Sequence, residues 1–192
     1  MISYYVALHG ANWPTMQALQ QCIDRHSWPV RVGAEGHPQW TRPLAETPNT
    51  LGMPVVFKGE PMQLEASLVT LGPGKPFAYS LDVSQGQPDN DVFGYKATKL
   101  PQLTFKPLDI NEQLASIGAT DVRFGNGDRV LTLTFRSSKR EYQAGFYVMA
   151  ALIKCFEGYG FSADGHGKST YADLLTAEAA MLAAEGTDAD RP

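Results

Sequence analysis

The sequence predicts one α+β domain over residues 1–186, in which two to four helices pack over a mostly antiparallel sheet. Several short runs alternate apolar and polar residues, which is typical of strands with one buried face. Two segments, 14–26 and 139–157, instead carry a single apolar stripe at helical spacing. Because each stripe needs an apolar face to cover it, helices and sheet must pack together. The tail at 187–192 is expected to fray.

The first strand is predicted at 2–8, where aromatic and branched residues dominate. The stretch NWPTMQALQQCIDRHSWPVRV at 12–32 then predicts a short helix that returns to an extended chain. Pro14 suits the first helical turn, either Asn12 or Thr15 can cap it, and the second Trp-Pro ends it. The apolar stripe of this helix consists of Met16, Leu19 and Ile23.

The centre of the chain is predicted to be strand-rich between two long loops. Residues 33–53 hold three prolines and three glycines without periodicity, so they form a loop that is either functional or poorly ordered. Trp40 is expected to anchor this loop to the body of the protein. A second polar loop is predicted at 84–102. Three candidate strands lie between the loops, at 54–59, 62–71 and 76–83.

A hairpin is predicted around Asn126–Gly127, because two alternating runs flank this pair and its residues tolerate positive φ. On its second strand the leucines of VLTLTF share one face with the phenylalanine, and the threonines share the other. A short helix at 109–118 precedes the hairpin, capped by Asp109 or Asn111 and ended by a glycine.

The C-terminal region is predicted to be mainly helical. The long helix at 139–157 is followed by a short strand in FSAD and by a last helix that reaches about residue 185. Either Ser169 or Thr170 caps this last helix.

Composition argues against several partners and locations. The net charge of −4 and the pI near 5.5 disfavour nonspecific binding to nucleic acid or anionic membranes. No apolar run approaches the roughly 20 residues that a membrane span requires. The N-terminus lacks the charged n-region and cleavage site of a signal peptide, so a cytoplasmic location is expected.

Cys22 and Cys155 both fall inside predicted helices. In a reducing compartment such cysteines are expected to be small core residues. A disulfide would require the two helices to lie side by side, and the expected location argues against it. Reactive thiols prefer exposed, electropositive places such as helix N-termini, so neither cysteine is predicted to be a nucleophile.

No motif specifies a cofactor, a metal or a catalytic reaction. GHGKST at 165–170 ends like a phosphate-binding loop, but Ser162 stands where that loop needs a glycine, so a turn into a helix cap is favoured. No G-x-S-x-G elbow occurs, and the chain is not expected to be an enzyme. The histidines show no H-x-x-x-H or H-x-H pairing, which disfavours a metal site; they are His9, His26, His37 and His166.

The two ends of the chain resemble small bacterial immunity proteins of polymorphic-toxin systems. The resemblance rests on a strand followed by WPT and M-x-x-L-x-x-x-I-D in the first 32 residues or so. In the last 60 residues or so, the resemblance rests on VLTLTF, followed directly by the helix REYQAGFYVMAALIKCF and then by GFSADGHGK. It implies a non-enzymatic cytosolic protein that binds and blocks a toxin delivered by neighbouring bacteria.

The toxin-binding surface is expected in the loops at 35–53 and 84–95, since loops on a rigid body concentrate binding residues. Two acids would face basic toxin residues and three aromatic residues would serve as anchors. These residues are Asp89, Asp91, Trp40, Phe93 and Tyr95. Two alternatives remain open: a small enzyme with dispersed catalytic residues, and an adaptor or structural module of a secretion or phage assembly.

Overall fold

The structure is a computed structural model, and it describes residues 2–44, 53–72, 110–116, 118–136, 138–162 and 168–188. The predicted strand at 76–83 and the predicted loop at 84–102 lie outside these ranges.

The α+β prediction is confirmed, because the described part of the chain forms a seven-stranded antiparallel sheet with four helices. The strands are β1 Ile2–Leu8, β2 Val30–Arg31, β3 Met53–Phe57, β4 Glu60–Thr70, β5 Arg129–Phe135, β6 Tyr159–Ser162 and β7 Lys168–Ser169. The helices are α1 Met16–Arg25, α2 Ile110–Ser116, α3 Lys139–Phe156 and α4 Tyr171–Asp188, with a 3-10 turn at Gly10–Asn12. The strand order is β2-β3-β4-β5-β1-β6-β7. Strand β5, from the second half of the chain, therefore lies between β4 and the N-terminal β1, and the sheet joins both halves of the chain.

Helix α3 contributes more residues to the main core than any other element. Its Phe146 is 1% exposed and lies edge-on to Tyr4 of β1, with ring centroids 5.5 Å apart. The same ring contacts Phe135 of β5 at 5.7 Å. Gly145 has no side chain where the Phe135 ring meets the helix, and a Cβ there would collide with that ring. The close approach of α3 to β5 thus depends on this glycine.

The opposite face of the sheet carries a second, smaller core under α2. Ile110 and Leu114 of α2 pack against Tyr5, Val130 and Phe161 of the sheet. Alternate residues of β1 enter the two cores, as the twofold periodicity of a strand requires. The sheet is therefore covered on both faces near its centre.

Replacing Phe146 with alanine should cost about 3–5 kcal/mol of unfolding free energy, the usual range for a fully buried phenylalanine. Denaturant unfolding measures it. The control is Val69→Ala on β4, whose side chain is 37% exposed, and it should change stability by less than about 0.5 kcal/mol. A loss below about 1 kcal/mol for Phe146→Ala would contradict the packing described for α3.

The tightest hairpin of the described chain joins β3 to β4. Phe57 pairs with Glu60 across a two-residue turn in which Lys58 has φ 48° and Gly59 has φ 83°. Two positive φ angles are the signature of the hairpin turn whose twist matches the strands. Both strands were predicted, at 54–59 and 62–71.

The hairpin predicted at Asn126–Gly127 is wrong. Strand β5 pairs with β1 and β4, and residues 120–124 form no strand. Gly127 has φ 88°, but Asn126 does not adopt positive φ. The Asn111 side chain binds both the N–H and the carbonyl of Phe124, each at 2.8 Å, and so occupies backbone groups that a strand would use.

Asp128 holds the turn that replaces this hairpin. Its carboxylate accepts hydrogen bonds from the N–H of Gly125 at 2.7 Å and of Gly10 at 2.9 Å, and it lies 3.3 Å from His9 Nδ1. Burial raises the pKa of this carboxyl, but these two N–H groups and His9 lower it, and the net pKa lies below its ordinary value of 3.8. The ionised form therefore stabilises the fold.

Asp128→Ala should destabilise the protein by about 1–3 kcal/mol, because it leaves the two N–H donors without their acceptor. The matched control Asn126→Ala should stay within about 0.5 kcal/mol. Because the folded pKa is depressed, the contribution of Asp128 is present above pH 3.8 and is lost as the pH falls through the folded pKa. Unfolding curves of both variants across this range measure it. Equal losses for the two variants would contradict the turn.

Candidate functional site

Helix α1 carries an ordered loop over its first turn. Thr15 caps the helix, accepting the Ala18 N–H at 3.1 Å, which confirms one of the two predicted caps. The first N–H groups of a helix have no partner within it. Here the loop supplies two of those partners: the Met16 N–H donates to the Arg42 carbonyl at 3.1 Å, and the Gln17 N–H donates to the Trp40 carbonyl at 2.9 Å.

The far end of this loop is fixed beside the helix start. Leu44 is 3% exposed in the main core. Its N–H donates to the Pro14 carbonyl at 2.9 Å, and its carbonyl accepts the indole N–H of Trp13 at 2.8 Å. Residues 33–44 are called the α1 loop below. The loop is therefore positioned by its hydrogen bonds to the backbone at the start of α1, in addition to apolar packing.

The outer side of the α1 loop faces solvent. Two successive turns shape it, with the His37 N–H donating to Ala34 and the Trp40 N–H donating to His37. Trp40 is half-buried in the middle of this surface. The exposed residues are Ala34, Glu35, Gly36, His37, Pro38, Gln39, Thr41 and Arg42.

A pocket of about 320 Å³ adjoins the start of the α1 loop between α1, β2 and the β3–β4 turn. Gln20, 2% exposed, accepts the Val32 N–H at 2.7 Å and donates to Asp24 at 2.8 Å. The pocket is called the β2 pocket, and its volume lies near the lower end of small-ligand sites. It is lined by Gln20, Asp24, Trp28, Pro29, Val30, Arg31, Val56, Lys58 and Gly59.

Of the predicted binding residues, only Trp40 falls within the described chain. It lies in the α1 loop, half-buried, and its carbonyl joins the loop to α1. The remaining four, Asp89, Asp91, Phe93 and Tyr95, lie outside the described residues. The same holds for residues 45–52 of the first predicted loop.

The two cysteines do not remain separate core residues as predicted: Cys22 of α1 and Cys155 of α3 form a disulfide. The helices lie side by side, which is the condition that such a bond requires. His26 Nε2 lies 3.9 Å from Cys155 Sγ, and an Arg25 guanidinium nitrogen also lies 3.9 Å from it. The histidine spacings that disfavour a metal site do not reveal this grouping, because its other two members are cysteines.

One signal for the grouping exists in the sequence. Cys22 and His26 are four residues apart, which places them on one face of a helix. The third member, Cys155, is 133 residues away from Cys22 along the chain, and only the packing of α3 on α1 brings it close.

The described residues of the phosphate-loop-like motif, 168–170, have other roles. Lys168 lies in β7 with its ammonium 4.6 Å from the centre of the Tyr159 ring. Thr170 caps α4, accepting the Asp173 N–H at 3.2 Å and donating its hydroxyl to the Asp173 carboxylate at 2.8 Å. Thr170 is thus the cap, rather than Ser169.

The α3–α4 contact pairs a half-buried tyrosine with a buried carboxylate. Glu178 of α4 is 4% exposed, and it is hydrogen-bonded to Tyr147 of α3. Burial and the neighbouring carboxylate raise the pKa of Tyr147 to about 12. The phenol therefore stays protonated at neutral pH and fixes α4 on α3.

No helix in the described ranges has both the length and the apolar character needed to cross a bilayer. No protein-family profile, characterised protein or solved structure matches this chain.

Replacing Trp13 with phenylalanine should loosen the α1 loop while keeping an aromatic ring against the main core. The change removes the indole N–H that binds the Leu44 carbonyl. The Met16 and Gln17 amides should then exchange with solvent about fivefold faster or more, since a hydrogen bond contributes about 1 kcal/mol. Amide exchange followed by NMR measures this, with the Met149 amide of α3 as the internal control. Unchanged exchange at Met16 and Gln17 would contradict the anchoring role of Trp13.

Proposed function

We propose that this chain is a cytosolic immunity protein, which binds a cognate antibacterial toxin and neutralises it by covering its active site or substrate face. The observation that carries the proposal is the α1 loop, an exposed surface whose residues 40–44 are hydrogen-bonded to residues 13–17 at the start of α1. A surface that is ordered before binding loses less conformational entropy when a partner docks.

The side chains of the α1 loop suit a protein partner. Trp40 and Arg42 belong to the residue types that dominate interface energies, and Glu35 and His37 supply polar contacts near them. A stable interface buries about 800 Å² on each partner, which exceeds one loop. The proposed surface therefore extends over the rim of the β2 pocket, where Arg31 adds a further exposed cation.

The second predicted loop remains part of the proposal. Asp89 and Asp91 would face basic toxin residues, with Phe93 and Tyr95 as further aromatic anchors beside Trp40. The proposed binding residues are then mixed in charge, since Arg31 and Arg42 are basic whereas Glu35, Asp89 and Asp91 are acidic.

A small-molecule activity at the β2 pocket is the second candidate function. Gln20 and Asp24, which both line it, are linked by a hydrogen bond, while Arg31 and Lys58 supply positive charge. Such a pocket, with a few convergent polar groups, can hold a small anionic ligand. Turnover or ligand binding by the isolated chain would favour this candidate over toxin neutralisation.

Co-expression with the product of the adjacent gene in a sensitive host tests the proposal. The wild-type chain should restore growth and bind the toxin with a dissociation constant in the nanomolar range, about −12 kcal/mol. Trp40→Ala and Arg42→Glu should each weaken binding about tenfold or more, which equals about 1.4 kcal/mol.

The control is Arg123→Glu, which makes the same charge change at an exposed position near α2. It should restore growth as well as the wild type does. Failure of the wild-type chain to restore growth would overturn the proposed function. Full affinity in both α1-loop variants would overturn the assignment of the surface.

A further inference from the structure

Three side chains with metal-binding atoms meet where α1 ends beside α3. The sulfurs of Cys22 and Cys155 and a ring nitrogen of His26 all lie within 4.8 Å of one another. Cys22 is fully buried, whereas Cys155 and His26 are half-buried, so the group opens to solvent on one side. Two thiolates and an imidazole form a donor set that favours zinc-class cations.

The geometry suits a tetrahedral ion. Zn–S bonds of about 2.3 Å and Zn–N bonds of about 2.0–2.1 Å place sulfur and nitrogen ligands about 3.5 Å apart. His26 Nε2 already lies 3.9 Å from Cys155 Sγ. The Cα atoms of Cys22 and Cys155 are 6.4 Å apart, so side-chain rotation alone can separate the sulfurs once the bond between them is broken.

The imidazole is held in place for this role. The His26 ring stacks on Trp28 with centroids 4.5 Å apart and an interplanar angle of 21°. Trp28 in turn packs on Tyr147 of α3 at 6.0 Å. His26 is also the C-cap of α1, so its backbone is fixed by bonds to the last turn of the helix. A ligand held by its surroundings loses little entropy on binding a metal.

We propose that reduction of the Cys22–Cys155 disulfide creates a Zn²⁺ site formed by these two cysteines and His26, with the fourth coordination position open to solvent. A dithiol supplies the two electrons and two protons that convert the disulfide to two thiols, and is itself oxidised to a disulfide. Zn²⁺ then displaces both thiol protons, while neutral His26 donates the lone pair of Nε2.

The charge of the site is compatible with its neighbour Arg25. An Arg25 guanidinium nitrogen lies 3.9 Å from Cys155 Sγ. A zinc ion with two thiolates and one neutral imidazole has no net charge. The bound ion therefore does not repel Arg25, which is exposed and has room to turn outward.

The site would cross-link α1 and α3 in both redox states. The disulfide links the helices when oxidised, and the metal links them when reduced. The α1 loop would then keep its position in a reducing cytosol and in an oxidising medium alike. This inference does not depend on what the loop binds.

Cobalt titration of the full chain tests the site. The protein is reduced with a phosphine, freed of reductant without oxygen, and titrated with Co²⁺, whose absorption reports thiolate ligands in tetrahedral geometry. A single Co²⁺ per chain should produce these bands, and Zn²⁺ should displace it. The oxidised chain should produce none.

Variants identify the ligands. Cys155→Ser should remove the two-thiolate spectrum. His26→Ala should raise the dissociation constant for Zn²⁺ about tenfold or more. Even residues that only hydrogen-bond to a metal ligand change metal affinity by about 10–100-fold, so loss of a direct ligand should have at least that effect. The control His9→Ala changes a histidine that instead contacts Asp128, and it should bind Zn²⁺ like the wild type. Wild-type affinity in His26→Ala would overturn the proposal, as would a reduced chain that yields no cobalt spectrum.

Circular dichroism of the reduced chain accompanies the titration. If reduction lowers helix content, Zn²⁺ should restore it, because binding to the folded site contributes to folding. A reduced chain that stays unfolded in the presence of Zn²⁺ would also overturn the proposal.

Discussion

The contact between α1 and α3 positions the features proposed to carry function. Leu19 and Ile23 of α1 are fully buried in the main core, and Cys22 between them is bonded to Cys155 of α3. Helix α3 is fixed by its own packing on β1 and β5 through Phe146. A helix of ten residues is marginal by itself in water. The α1 loop therefore depends on α3 for its position, through the helix whose first N–H groups it covers.

The parts of the fold that follow from local periodicity were predictable. Helix α1 and strands β3 and β4 bury mainly one side, as their patterns predict, whereas residues 148–152 of α3 are all buried because α4 also packs on that helix. Thr15 and Thr170 were likewise among the predicted caps. Their chemistry is local, since each hydroxyl accepts an N–H only three residues further along the chain.

The remaining features depend on partners far apart in sequence. Asn126–Gly127 lacks a strand before it because Asn111 and Asp128 bind the backbone that a hairpin would use. The disulfide and its histidine neighbour require α3 to lie beside α1. The hydrogen bonds from the α1 N–H groups to the loop carbonyls could not be predicted either. Nothing in the sequence of residues 33–44 indicates that its carbonyls contact the start of a helix. Trp40 was singled out by residue type, and its backbone contact was not foreseen.

The most direct test of the α1–α3 junction is a non-reducing digest of protein whose free thiols were alkylated before unfolding, followed by mass spectrometry. In protein purified without reductant or metal, the account predicts that peptides containing Cys22 and Cys155 are recovered covalently joined. After native reduction, the half-buried Cys155 should instead become alkylated, and added Zn²⁺ should slow this alkylation. Rapid alkylation of both cysteines in the unreduced protein would contradict the account, since it would place α1 away from α3.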